Sequence, residues 1–264
     1  MFRYLSFIAA LLAVASCAMT PPVPENVRAE MAPGGVLRVG INLGNPTVVQ
    51  KAQAGAELRG VGPGLARELA KRLGARPEFV TYDSAAKMAE AAKAGAWDVA
   101  FLAVDPQRAN DISFSAPYMQ IEATYMVRAA SPLRKPEELD RKGVRIATNN
   151  NAAFDLWMQR NLKNAERVLA YSSGAAVELF MSRPDVDAAA GVRNTLEQYA
   201  AKNPGYHVME ANFSTVGQAA GVPRNREAAA RYLRDFIEEM KASGFVARAL
   251  RESGAEAAVA PPAS

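Results

Sequence analysis

Residues Asp98 to Tyr118 read D-V-A-F-L-A-V-D-P-Q-R-A-N-D-I-S-F-S-A-P-Y, and the elements around this stretch decide the fold. The run from Asp98 to Val104 is short, apolar and unbroken, which predicts a buried strand. Asp105-Pro106 is a helix-start pair, because proline is preset for a first helical position, and it leaves Arg108 in the turn that follows. An arginine there lies beyond the carboxyl end of a strand, where open α/β sheets bind ligands. Guanidinium is also the side chain best shaped to hold a carboxylate through two parallel hydrogen bonds. The competing reading is a surface arginine paired with Asp111 at i,i+3, a contact of little energetic weight.

On the N-terminal side, strands are predicted at Leu37 to Ile41 and Glu78 to Thr81. Helices are predicted at Leu65 to Leu73, stopped by Gly74, and at Ser84 to Ala94, stopped by Gly95. With Asp98 to Val104 they make a β-α-β-α-β unit, the pattern of a sheet covered by helices. A second series follows Tyr118. Its strands are Ile121 to Val127, Val144 to Ala147, Val168 to Tyr171 and Val186 to Gly191, with helices at Ala152 to Leu162, opened by Asn149, Asn150 and Asn151, and at Ala175 to Met181. A-G-A-W-D-V-A-F-L-A-V from Ala94 is echoed by S-R-P-D-V-D-A-A-A-G-V from Ser182. In each, an aspartate opens a short apolar strand after a turn, as if one plan built two lobes. A last helix, Arg226 to Ser243, carries Tyr232, Leu233, Phe236, Ile237 and Met240 on one face, a stripe for core packing.

The first residues have the form of an export leader: Arg3, an apolar stretch from Tyr4 to Ala13, then Val14-Ala15-Ser16-Cys17. V-A-S-C resembles a lipobox, which makes residues 1–16 a lipoprotein signal peptide and Cys17 the site of lipidation. Cleavage after Ala13-Val14-Ala15 is the competing reading. Pro21, Pro22, Pro24 and Pro33 predict a tether over residues 17–34, and residues 255–264, without periodicity, a disordered tail. Cys17 is the only cysteine, so no internal disulfide can form. The 31 basic residues, against 27 acidic, are dispersed along the chain and never run beyond two together, which leaves no basic stripe and argues against nucleic acid as a partner. No G-x-S-x-G, P-loop or H-E-x-x-H pattern occurs, and Gly60-x-Gly62-x-Gly64 lacks the spacing of a dinucleotide fingerprint. The single histidine, His207, follows Tyr206 in an apolar stretch and reads as structural. No metal and no cofactor is expected.

Arg108, Ile112, Phe114, Ser115, Pro117 and Tyr118 match R-x-x-x-[IL]-x-F-[ST]-x-P-Y. With L-R-V-G-I at Leu37, G-V-G-P-G-L-A-R-E-L-A-K-R-L-G at Gly60 and K-A-S-G-F at Lys241, the chain from Leu37 to Ser253 resembles the bacterial extracellular solute-binding proteins of family 3, the type that serves amino-acid ABC transporters. The resemblance implies an α/β periplasmic-binding-protein type II fold, two lobes joined by a two-strand hinge with a ligand cleft between them. Lobe 1 would comprise residues 35–118 plus 220–254, and lobe 2 residues 119–219, with hinge strands near Met119 to Ala123 and Ser214 to Ala219. It also implies a periplasmic or cell-envelope monomer, held on the membrane by its lipid. Such a protein captures a small-molecule solute by lobe closure and presents it to an ABC permease.

Carried over residue by residue, the resemblance makes Arg108 a carboxylate clamp and puts Asn42 and Asn45 of N-L-G-N-P at ligand-facing positions. Asn149, Asn150 and Asn151 fall where the family offers backbone amides, and Asn150 and Asn151 are the two expected at the ligand. Arg193 heads a helix running to about Ala201, a place suited to a second acidic group. Asp105 and Glu122 are the acids nearest the cleft. The departures are as informative. Gly60-Val61-Gly62 replaces the family's G-[FY]-D, the serines that help hold a carboxylate fall on Phe101 and Ala103, and the aspartate for an ammonium falls on Val192. The expected ligand is therefore a small carboxylate-bearing solute, amino-acid-like or an organic acid. Two other readings stay open. Some proteins of this fold resemble cyclohexadienyl dehydratases, in which a carboxylic acid donates a proton; Glu122 or Asp105 would then need a pKa raised by burial. The third is a ligand-sensing lipoprotein without a transporter.

Overall fold

The structure, a computed structural model, describes residues 22–51, 57–255 and 257–263; the leader and Cys17 lie outside the described residues. The first half of the chain forms α1 (Glu25–Met31), β1 (Val36–Asn42), β2 (Gln50–Lys51), β3 (Leu58–Arg59), α2 (Val61–Leu73), β4 (Arg76–Tyr82), α3 (Ala85–Glu90), β5 (Val99–Ala103) and β6 (Ile112–Arg128). The second half forms β7 (Arg145–Asn149), α4 (Ala153–Asn161), β8 (Glu166–Ala170), α5 (Ser173–Ser182), β9 (Ala188–Val192), α6 (Arg193–Lys202), β10 (Tyr206–Val208), β11 (Ser214–Pro223), α7 (Glu227–Ala242), α8 (Phe245–Ser253) and β12 (Ala258–Val259).

The strands follow the order β4-β1-β5-β11-β6-β9-β7-β8. β1 is parallel to both β4 and β5, and β7 to both β8 and β9, so each end of the sheet is a parallel unit that needs helices on its faces. Between them β11 runs antiparallel to β5 and β6, and β6 antiparallel to β9. β6 and β11 are therefore the two strands that pass from one α/β lobe to the other. Each lobe has its own core. Leu37, Val39, Leu65, Leu69, Phe236 and Ile237 belong to the first; Met126, Val177, Phe180 and Ala189 belong to the second. The stripe of α7 is buried as its spacing predicts, and Leu233, Phe236, Ile237 and Met240 each contribute roughly 1.5–3 kcal/mol on leaving water.

The echo between the two halves has a physical counterpart. Asp98 accepts from the Arg38 backbone N–H at 3.0 Å, and its own N–H donates to the Arg38 carbonyl at 2.8 Å. Asp187 repeats this on Arg145, accepting from its N–H at 2.8 Å and donating to its carbonyl at 2.8 Å. In both lobes an aspartate before the third strand pins that strand to the first. Asp98, fully buried, also takes Arg38 and Arg226 as ion-pair partners.

Two segments differ from the sequence expectation. Within the predicted tether, α1 packs on the first core through Val27 and Met31, an i,i+4 pair. Glu30 Oε2 accepts from the Ala229 N–H at 2.8 Å, one of the amides left unpaired at the start of α7. A helix of 7 residues gains little from its own propensity, so this docking is what forms it. The predicted tail is tied down as well. β12 pairs with β6 at Met119 and Gln120, the Ala260 N–H donates to the Tyr118 carbonyl at 3.1 Å, and Lys241 Nζ reaches the carbonyls of Pro261 and Pro117 at 2.8 and 3.3 Å. Composition misleads in both places, because contacts distant in sequence do the holding. The helix expected to run to Ala94 ends at Glu90.

Candidate functional site

The carboxyl ends of β1, β5 and β7 and the first turns of α4 and α5 converge on a cleft between the lobes, with the hinge strands beneath it. Its apolar walls include Val48, Met88, Phe101, Ile121, Phe154 and Val192, and its polar lining is Asn42, Asn45, Arg108, Asn149, Ser173 and Gln218. Among the described residues no aspartate or glutamate lines it. The space is narrow: about 60 Å³ is open to the centre of a water molecule.

Arg108 follows β5 in a short 3-10 turn, where the Asp105 carbonyl accepts from the Ala109 N–H at 3.0 Å. The residue is 6% exposed. Nη1 donates to the Ala103 carbonyl at 3.1 Å, and Nη2 donates to the Asn151 carbonyl of the other lobe at 2.9 Å. A guanidinium carries five N–H donors, so these bonds orient the group and leave capacity for an anion in the cleft. Burial pushes its pKa down to about 10, against the opposing charge of Asp105, and it remains cationic at neutral pH. Asp105, expected at the ligand, instead faces Arg160 of α4 across the cleft mouth, with Arg160 Nη1 2.8 Å from Asp105 Oδ2.

Asn42 and Asn45 do line the cleft. Asn42 Oδ1 accepts from the Gly44 N–H at 2.9 Å and Asn45 Oδ1 from the Thr47 N–H at 3.2 Å, so both oxygens are held by their own loop and the amide nitrogens are the ends left to donate. Asn150 and Asn151 are exposed and stand outside the cleft lining. Their N–H groups donate to the Ala170 carbonyl and to Asp155 Oδ2, each at 2.9 Å, and are not on offer to a ligand. Asn151 takes a positive φ of 57°, which displaces the helix cap to Ala152 and leaves Asn149 as the cleft-lining asparagine.

Arg193 and Glu122 meet each other in a separate surface pocket. Arg193 donates to Glu122 Oε2 at 2.8 Å, to the Glu210 carbonyl at 2.7 Å, to Asn212 Oδ1 at 2.6 Å and to the Met209 carbonyl at 3.1 Å. These acceptors account for a cation at a helix start without any ligand. Asn212 and then Arg193 hold the Glu122 carboxyl below the usual carboxylate range, the reverse of what a proton donor needs.

Gln218 of β11 is the residue that sequence reasoning passed over. It stands opposite Ala103 in the β11/β5 register, at a β-bulge between Gln218 and Ala219. The neighbouring Gly217 packs on Pro117, where a Cβ would lie 2.8 Å from the ring Cγ, so no larger residue fits beside the bulge. The signal was a single amide in the strand S-T-V-G-Q-A-A-G-V-P.

Among the described residues no cluster of three or more His, Cys, Asp or Glu could hold a metal, and no helix is long and apolar enough to cross a membrane. A mutant of ArgBP from T. maritima superposes with a TM-score of 0.73 at 21% identity, over 87% of this chain and 100% of the other. AbpA, an amino acid ABC transporter substrate-binding protein from Streptococcus pneumoniae bound to L-arginine, gives 0.72 at 19% identity over 84% and 96%. An ancestral amino acid-binding protein, a precursor of cyclohexadienyl dehydratase, gives 0.70 at 22% identity over 83% and 95%. These likenesses bear on the fold, which is that of the type II periplasmic binding proteins. None of the curated proteins matches the sequence significantly. The sequence profile of one family covers residues 37–253, both lobes and the hinge between them: the chain belongs to the bacterial extracellular solute-binding proteins, family 3.

Proposed function

We propose that this protein captures a small carboxylate-bearing solute between its lobes, with Arg108 as the anion clamp, and delivers it to an ABC permease. The observation that carries the reading is the lining of the cleft, one buried guanidinium among neutral amides and apolar walls, with no carboxylate among the described residues that line it. A desolvated anion is stabilised there by charge-assisted hydrogen bonds, whereas a desolvated ammonium meets no counter-charge. The narrow space favours a ligand of few heavy atoms.

Asn42 and Asn45 would add neutral donors from lobe 1, and Asn149 and Ser173 would close from lobe 2. Anchoring through a lipid on Cys17 is part of the same proposal; radioactive palmitate should label the protein and the label should vanish in Cys17→Ser. Mass spectrometry of small molecules released from the purified protein tests the ligand class. A carboxylic acid is expected, and recovery of an uncharged sugar or a polyamine would overturn the reading.

A further inference from the structure

We infer that Gln218 is a ligand-contacting residue that makes the cleft selective for carboxylates bearing an uncharged hydrogen-bonding group, a hydroxyl or a carboxamide, over the corresponding amino acids. This rests on the proposed carboxylate-binding role of the cleft.

Gln218 is 4% exposed and its side-chain amide makes no hydrogen bond among the described residues, yet the amide is not sealed from water. A ligand that fills the cleft would remove that last water contact, and a buried amide then needs a polar partner. The residue lines the cleft, and that is where a partner can come from. Its place in the sheet puts that partner beside the clamp. Gln218 is opposite Ala103, and the Ala103 carbonyl is the one that orients Arg108 Nη1. The bulge at Gln218 and Ala219 supplies the local twist that bulges use to re-aim a side chain.

The amide has one donating and one accepting end. Its nitrogen can share a carboxylate oxygen held by Arg108, and its oxygen can accept from a neighbouring hydroxyl or carboxamide on the ligand. A carboxylate at this position would serve an ammonium; a neutral amide does not neutralise one. Because β11 is a hinge strand, the contact also ties occupancy to the element that flexes when the lobes close.

The test uses matched trios of three- to five-carbon acids, each a hydroxy acid, the unsubstituted acid and the amino acid, titrated by calorimetry into the full chain. The parent protein should bind at least one hydroxy acid about tenfold or more tighter than its unsubstituted counterpart. Gln218→Leu should erase that ratio, and Gln218→Glu should raise affinity for the amino acid relative to the hydroxy acid. A ratio of affinities within one variant does not depend on the fraction folded, and circular dichroism checks the fold. If the acids bind through Arg108 but the ratio is the same in parent and Gln218→Leu, the Gln218 assignment is wrong and the clamp stands. If no acid binds the parent, both fall.

Discussion

Asp105 of the first lobe and Arg160 of the second form an ion pair across the cleft, Nη1 to Oδ2 at 2.8 Å, with the Asp105 side chain 2% exposed and the Arg160 side chain 44% exposed. The contact bridges the two lobes, so moving them apart would break it. Asp105 Oδ1 also accepts from the Gln107 N–H at 2.9 Å, which keeps the carboxylate aimed at the cleft mouth. A second bridge, from Arg108 Nη2 to the Asn151 carbonyl, runs deeper in the same space.

Arg160→Ala should shift the lobes toward the open arrangement. The partially exposed arginine limits the cost to about 1–2 kcal/mol, enough to change a closed-to-open ratio several-fold. Small-angle scattering should show a larger radius of gyration for the variant at the same ligand concentration. An unchanged scattering curve and unchanged ligand off-rate would show that the pair does not hold closure.

Deleting residues 258–264 should loosen the hinge. It removes the β12 pairing to Met119 and Gln120 and takes the Pro261 carbonyl from Lys241. A loss of about 1–3 kcal/mol, seen as a lower Tm, is expected. Hydrogen exchange along 118–120 should accelerate, while exchange in α5, remote from the strap, should stay as it was.

Arg193→Ala should destabilise the protein in a pH-dependent way. The Glu122 carboxyl is held below its ordinary range by Asn212 and Arg193, so its folded pKa lies under its unfolded value. A group with that sign contributes stability above the unfolded carboxylate pKa and loses it as pH falls through the folded one. The gap in unfolding midpoint between parent and Arg193→Ala should therefore be full at neutral pH and shrink below the ordinary carboxylate range. A gap independent of pH would assign the effect to the carbonyl contacts at Met209 and Glu210 alone.

The architecture was legible because periodicity reports which face of an element is buried. The stripe from Tyr232 to Met240 and the apolar run from Val99 to Ala103 both found their places. The aspartate echo was legible as well, since a carboxylate before a strand has a main-chain partner to meet. Less legible was anything settled by a contact distant in sequence. Arg193 reads as an unpaired cation until Glu210 and Asn212 arrive from a loop more than a dozen residues on. Of the three asparagines ahead of α4, the positive φ of Asn151 leaves Asn149 to line the cleft, a choice among them that no spacing rule makes. Gln218 is hard to see in the sequence because one amide in a mostly small and apolar hinge strand carries no periodic signal.

The central claim is that Arg108 holds a ligand carboxylate in the cleft, and isothermal titration of Arg108→Gln against the carboxylic acid recovered from the parent protein tests it most directly. Removing one partner of a desolvated charge pair costs about 2–5 kcal/mol, so the affinity should fall about 30-fold or more, with the Tm of the variant confirming a folded protein. An affinity within a factor of two of the parent would contradict the account.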